Sequence, residues 1–472
     1  MRTYVSANGV RPSRVAALPL EVPVKWVVLI AELVALAPFA LLLNRNQWMA
    51  PWLWTLVGFL PFVTDPLHLF MAPVAWPDWP GHITGLEITV LDFLVLSYLL
   101  SGPPGKGGYP FALSMGLYAV SVLMSASQAA FPTATMFHVW EILRMLMLGA
   151  VLARACADPR IAPALLFGLA LGIGLEAAVS LWQRLHGVIQ TPGTFDHQNQ
   201  LGLISNLIVI GFFSLFMARP SWSRAALVPA AGLLIAALTA SRGAIALFVL
   251  GCVAVFLVSV IRQPSKRKFG FAAVGMLVMM AGLPVALASL EKRFAEVPLD
   301  ESYDERAAFH KAAWLIIEDY PFGTGSNQYI TIANVGGYND LANVAPVVGS
   351  RSAMVHKVYL LVWAETGLLG LLAFIFMLVQ PVVTALRCGW RNRGDLRSDL
   401  LLGLGIALIT TYIHSFFEWV FITHQTQYVF AMVCGLIAGL AKQLNYWPER
   451  SRVLTPSARP EAHGGDPAGA HA

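Results

Sequence analysis

Apolar runs of about 20 residues recur along this chain from Val24 to Leu444, each long enough to cross a hydrocarbon core of ~30 Å. Inside such a core every backbone N–H and C=O must find its partner within the segment, so runs of this kind fold as helices. The composition agrees, with 57% hydrophobic and only 12% charged residues. That excludes a soluble enzyme and makes the chain an all-α polytopic integral membrane protein.

Candidate spans cover roughly 24–43, 51–72, 84–101, 109–129, 136–155, 161–182, 200–218, 225–240, 243–261, 269–289, 356–380, 399–417 and 422–441. The expected layout is a cytoplasmic tail over 1–23, transmembrane helices over 24–289, a large loop over 290–355, transmembrane helices over 356–445, and a disordered cytoplasmic tail over 446–472. The first run is long and is followed by no small-residue cleavage site, so it reads as an uncleaved span. Arg262 through Lys268, with Arg219, Arg224, Arg387, Arg391, Arg393 and Arg397, mark the cytoplasmic side by their positive charge. Alternation then puts the large loop, the 183–199 connection, the Ser241-Arg242 turn and the 418–421 turn together on the outer, periplasmic face. Thirteen spans would leave the basic N-terminus outside. The 51–72 run is the suspect, because Pro61, Asp65 and Pro66 break it, so about twelve crossings are expected.

The large loop has its own character, with nine acids against five bases over 291–355. Ser302-Tyr-Asp-Glu305 fits a capping box, which predicts a helix from about Tyr303 to Asp319, stopped by Pro321 and the glycines of Pro321-Phe-Gly-Thr-Gly325. Arg306, His310, Ala313, Trp314 and Ile317 would share a face of it and pack on the membrane domain.

Charges in a membrane protein are costly, so their positions point to function. Arg242, Arg306 and His356 stand out on the outer face, beside a polar, helix-breaking run from Thr191 to Gln200. Guanidinium groups present a planar fork of donors that matches phosphate oxygens, so the two arginines suit an anionic ligand. Asn199 and Gln200 are placed to bind sugar or phosphate oxygens or to cap the next span, and His310 lies one turn from Arg306. Glu141 and Arg144, three residues apart, read as a neutralising pair, while Asp92, Glu176 and Glu365 read as structural or cavity-lining. The formal charge of +5 implies no nucleic-acid partner, and Cys156, Cys252, Cys388 and Cys434 lie too far apart in sequence to suggest a disulfide or a metal site.

Four ordered segments resemble the superfamily of bacterial O-antigen ligases and O-antigen polymerases. They are Gly193-Thr-Phe-Asp-His-Gln-Asn-Gln-Leu-Gly202, Ser241-Arg-Gly243, Arg306 through Gly325 with Trp314, Asp319 and Pro321, and His356-Lys-Val-Tyr-Leu360 running on to Glu365-Thr-Gly-Leu-Leu-Gly370. The His356, Gly367 and Gly370 spacing fits the ligase-type motif, with Lys357 where the family usually has an uncharged polar residue. The resemblance implies a GT-C-like fold in the bacterial inner membrane, and transfer of a glycan from an undecaprenyl-diphosphate carrier to an acceptor hydroxyl, on lipid A core or on another glycan. It implies no cofactor and no metal. Arg242 and Arg306 would then clamp the diphosphate, His356 would take or orient the acceptor's proton, and Asn199 and His310 would contact substrate. A polymerase extending lipid-linked repeats and a lipid-linked glycan transporter are the competing readings.

Overall fold

The structure, a computed structural model, describes residues 21–102, 108–218, 223–272 and 299–447. Most of both expected tails, nearly all of the 269–289 span and the first part of the large loop lie outside the described residues. The chain runs through α1 (Glu21–Arg45), α2 (Ala50–Phe59), a two-stranded antiparallel hairpin of β1 (Phe70–Met71) and β2 (Ile88–Thr89), α3 (Val90–Leu100), α4 (Ala112–Ser125), α5 (Pro132–Ala155) and α6 (Ile161–Leu185). There follow α7 (Gln198–Ala218), α8 (Leu227–Thr239), α9 (Arg242–Arg262), α10 (Leu299–Asp319), α11 (Val358–Arg391), α12 (Leu396–His414) and α13 (His424–Gln443). Three short helical turns fill 329–351.

Among the described residues six helices are long and apolar enough to cross a membrane, or seven if the bent pair at the N-terminal end counts as one span. The expected count of about twelve is not reached on this measure, because several apolar runs fold as shorter helices. The 84–101 run shows why. Its first four residues are loop, with Gly85 bridged to Ala75, β2 takes Ile88 and Thr89, and α3 starts only at Val90, where Thr89 and Asp92 make a reciprocal capping box. The 51–72 run is likewise not one helix. Leu29–Arg45 and Gln47–Phe62 meet at 99°, α2 passes into a 3-10 turn at Leu60–Phe62, and turns follow.

Small residues let these helices approach closely. A Cβ on Gly168 of α6 would lie 2.0 Å from the Thr55 carbonyl oxygen of α2, and one on Gly58 would lie 2.5 Å from the Leu165 oxygen. Thr55 Oγ1 donates to the Ala164 carbonyl at 3.1 Å across the same contact. Helix α7 is buried along nearly its whole length, packed by α8, α9 and α12.

The pairing expected between Glu141 and Arg144 is replaced by one across helices. Arg144 Nε donates to Asp92 Oδ2 at 2.9 Å, with Nη2 2.8 Å away, and both side chains are buried. Packing of α3 on α5 supplies a partner for Arg144 that sequence neighbourhood does not, and Glu141 Oε1 is buried without a hydrogen-bond partner. Helix α10 also departs from expectation at its start. It begins at Leu299, so Ser302 lies inside the helix, not at its cap, while the end at Asp319 is as expected. Its buried face is Ala308, Phe309, Ala312, Ala313, Ile316 and Ile317. Trp314 is half-exposed and meets Trp363 of α11 edge-on at 5.2 Å.

Candidate functional site

Glycines and one buried carboxylate bring the separated motifs together. Helix α11 breaks at Gly367, whose φ of 69° and ψ of −176° suit only glycine. A Cβ there would sit 2.6 Å from the Phe322 carbonyl carbon, and one on Gly323 would sit 2.4 Å from the Glu365 carbonyl oxygen. The two backbones therefore touch, and Thr324 N–H and Gly325 N–H donate to the carbonyls of Ala364 and Glu365, each at 3.0 Å. Glu365 completes the dock with its side chain. Oε1 accepts from the N–H groups of Gln328 and Tyr329 at 3.0 Å, and Oε2 from Ser326 Oγ at 3.2 Å, which also meets His138 Nδ1 at 2.5 Å. The structural reading of Glu365 thus gains a specific task, fixing the turn after α10 to the membrane helices.

The other two motifs meet in the same way. A Cβ on Gly202 of α7 would come within 2.5 Å of Ala244 Cβ in the first turn of α9, and Asn206 Nδ2 donates to the Ala244 carbonyl at 2.9 Å. Just upstream of α7, Thr194 gives both its N–H (3.0 Å) and its hydroxyl (2.5 Å) to the buried Glu176. The starts of α7 and α9 are thereby held side by side, with Asn199 on one and Arg242 on the other.

His356 precedes α11, and its strand of chain is tied to the end of α12 by Val358 N–H donating to the Ser415 carbonyl at 3.1 Å. Its ring stacks on Phe309 of α10, with centroids 5.6 Å apart and planes 17° from parallel. Nδ1 is buried and has no hydrogen-bond partner. Burial first, then the positive fields of Arg306 and His197 and the neighbouring His310, hold the imidazole down to about 4 against a smaller opposing pull from Glu305. The ring is therefore neutral near pH 7. His310 is lowered too, by burial, Lys357 and Arg306. Burial also lowers His197, against the pull of Asp196. Glu305 is fixed by the hydroxyl of Ser350.

Arg306 is half-exposed and reaches Glu418, whose Oε1 accepts from Nη2 at 3.3 Å. Glu418 sits in the turn after α12, with only 8% of its side chain exposed. Burial raises its proton affinity, against Arg306 and the Asn199 side chain, which both favour the charged form. Arg306, Asn199, His310 and His356 are thus neighbours. Arg242 is exposed, opens α9 behind its Ser241 cap, and forms no ion pair with any described residue. The structure does not bring it into contact with Arg306. It joins the group through α12, since a Cβ on Gly243 would lie 3.4 Å from His414 Nε2, and the His414 carbonyl accepts the Glu418 N–H at 3.1 Å.

Sequence reasoning missed Glu418, and it missed a second polar string beside Asn199. Gln200 Nε2 donates to Gln425 Oε1 at 2.8 Å, Gln425 donates in turn to Asp65, and His424 Nε2 lies 3.1 Å from Asp65 Oδ1. A usable signal existed for Glu418, the one acid in a 418–421 turn that the charge rule had already placed beside Arg242 and the large loop.

The fold and site together define a polytopic helical membrane protein that gathers arginines, a neutral histidine and a buried carboxylate at one end of its helix bundle. Residues 225–375, from the turn before α8 to the middle of α11, match the O-antigen ligase family, in line with the motif resemblance. The Gly193–Gly202 segment lies outside the matched stretch. No curated protein matches the chain. The family supports a glycan-transfer function of the ligase or polymerase kind in a multi-pass membrane protein, with a lipid-linked glycan and an acceptor as partners.

Proposed function

We propose that this protein is a membrane glycosyltransferase that moves a glycan from an undecaprenyl-diphosphate carrier to an acceptor hydroxyl at the periplasmic face of the bacterial inner membrane, in the manner of an O-antigen ligase. The observation that carries the reading is that Glu418 and His356 both lie close to Arg306, with Asn199 against Glu418, at the junction of α10, α11 and α12. On this reading the three short apolar helices, the bent N-terminal pair and α13 join the six long spans, close to the expected twelve crossings, with the large loop outside.

Arg306 and Arg242 hold the diphosphate and take up the charge that develops as the anomeric C–O bond breaks. The exposed guanidinium of Arg242 lies free for the distal phosphate, and the half-exposed one of Arg306 for the phosphate next to the sugar. The neutral His356 meets the acceptor hydroxyl and orients it for direct displacement, which inverts the anomeric configuration. Asn199 and His310 line the substrate path.

The test is transfer by purified protein given a polyprenyl-diphosphate-linked glycan and a lipid A core acceptor, with Arg306→Ala and His356→Ala in parallel. A glycosylated acceptor that both substitutions abolish supports the ligase reading. A ladder of carrier-linked chains instead identifies a polymerase, and carrier-linked glycan moved across a vesicle membrane without transfer identifies a transporter.

A further inference from the structure

The ion pair between Arg306 and Glu418 poses a chemical problem that points to a further catalytic residue. A cation meant for a diphosphate is occupied by a carboxylate, and that carboxylate is buried. It accepts from only one nitrogen of the guanidinium, at 3.3 Å. Its other oxygen, Oε2, is buried and makes no well-formed hydrogen bond. The contact is looser than the other ion pairs of the described residues, such as Arg144 on Asp92 at 2.8–2.9 Å or Arg397 on Asp395 with three nitrogen-to-oxygen contacts of 2.6–3.2 Å. Glu418 therefore sits in a weak pair beside the Asn199 side chain, with one oxygen left to take a proton.

We propose that Glu418 is the carboxylate that accepts the acceptor's proton, and that the donor's diphosphate unmasks it by taking Arg306. This rests on the reading of Arg306 as the diphosphate holder. A diphosphate carries more charge than a carboxylate and offers oxygens to several of the five guanidinium N–H groups, so it outcompetes a single long contact. Arg306 is half-exposed and can turn to it, while Glu418 is held in a buried turn by its own backbone N–H on the His414 carbonyl. Once its cation has turned away, the buried carboxylate binds a proton more strongly, since burial and a nearby anion both disfavour its charge. The donor thereby creates the base that the reaction needs, and no base is exposed in its absence.

The atoms balance as follows. The acceptor oxygen forms its bond to the anomeric carbon while its proton passes to Glu418. The bond from that carbon to the phosphate oxygen breaks, its electron pair leaves with the carrier diphosphate, and Arg306 meets the new charge. Loss of the proton to solvent, as the carrier departs and Arg306 returns, resets the pair. His356 lies stacked on Phe309, its imidazole kept neutral by burial. It serves as a neutral hydrogen-bond partner that aims the hydroxyl.

The experiment uses the full-length protein in detergent, with farnesyl diphosphate as a glycan-free probe of the donor site and the transfer assay above as the second readout. Glu418→Gln, close in shape, is expected to bind the probe about threefold to tenfold more tightly, because Arg306 no longer has to leave an anion, while transfer falls at least ~100-fold. Transfer kept within about threefold of wild type would overturn the catalytic assignment. Probe binding that weakens in step with transfer would overturn it too, reducing Glu418 to a support for Arg306. Glu418→Asp covers the case in which the glutamine variant does not fold. It keeps a carboxylate on a shorter arm, so tighter probe binding with a partial loss of transfer is expected, and weaker binding counts against the proposal. Arg306→Ala separates the two readings, since unchanged probe affinity in that variant sinks the diphosphate assignment whatever Glu418 does.

Discussion

Gly367→Ala tests whether the motif glycines act by docking the loop onto the membrane helices. Residue 367 sits at φ 69° and ψ −176°, a region that costs a residue with a Cβ about 1–3 kcal/mol even in free space. Space is not free here, because the new Cβ would lie 2.6 Å from the Phe322 carbonyl carbon and 2.8 Å from its Cα and oxygen. Those are backbone atoms, so relief requires the 321–325 turn to lift away from α11. Lifting it stretches the hydrogen bonds from Thr324 and Gly325 to Ala364 and Glu365, each worth roughly 0.5–1.5 kcal/mol. The sum is about 2–6 kcal/mol, on the order of 5 °C in the unfolding midpoint for a chain of this size. The assay is thermal unfolding of purified protein in detergent, followed by intrinsic fluorescence. Gly174→Ala in α6 is the control, since a Cβ there meets nothing within 4 Å and alanine suits a helix. A midpoint for Gly367→Ala equal to that of this control would refute the docking argument.

Other substitutions separate stability from function. Arg306→Ala leaves the buried Glu418 without its cation, but the pair is one long contact and the carboxylate can take a proton, so the unfolding midpoint should fall less than in Arg144→Ala while transfer falls by roughly 100-fold or more; an equal drop in midpoint would make Arg306 structural. Arg144→Ala strands the buried Asp92 and should cost about 3–5 kcal/mol, part of it regained in the double variant with Asp92→Ala, whereas additive losses would mean the two side chains do not interact. With His356 held at about 4 by burial, Arg306, His197 and His310 against Glu305, the unfolded chain binds its proton more readily than the folded one. Its share of stability is therefore present above about pH 6.5 and lost as the pH falls from there toward 4, and a chemical-denaturation series across that range should flatten in His356→Gln. An acid limb of transfer above the ordinary carboxylate range that disappears in Glu418→Gln, and not in His356→Gln, would place the base at Glu418.

What the sequence could and could not disclose divides along a physical line. Hydropathy reads the existence of a buried helix, because lipid and protein interior both demand apolar side chains and an internally bonded backbone. Hence α6, α7 and α9 fall within a few residues of the runs at 161–182, 200–218 and 243–261. It cannot see where a hydrogen-bonding side chain ends a helix inside an apolar run, and Thr89 shortens α3 for that reason. Nor does it see contacts made across helices. Arg144 has an acid three residues away in sequence, yet the partner 52 residues off is the one that packing presents. The site itself was partly legible, because Arg306, His356, Asn199 and His310 are charged or polar groups placed on one face by the charge rule. Glu418 was legible only as an acid in a turn on that face; its pairing was not, since a lone acid has no periodicity and matters because α12 ends where α10 presents Arg306. The glycines lie between these cases. Their spacing in the motifs was readable, but its cause was not: Gly367 with Gly323, and Gly202 with Ala244, are contacts between segments that a sequence keeps far apart. The motif is therefore less a list of reacting groups than a set of close approaches that hold a few reacting groups in place, and substitutions at the glycines and at Glu365 should impair stability and transfer together, while those at Arg306 and Glu418 should impair transfer far more than stability.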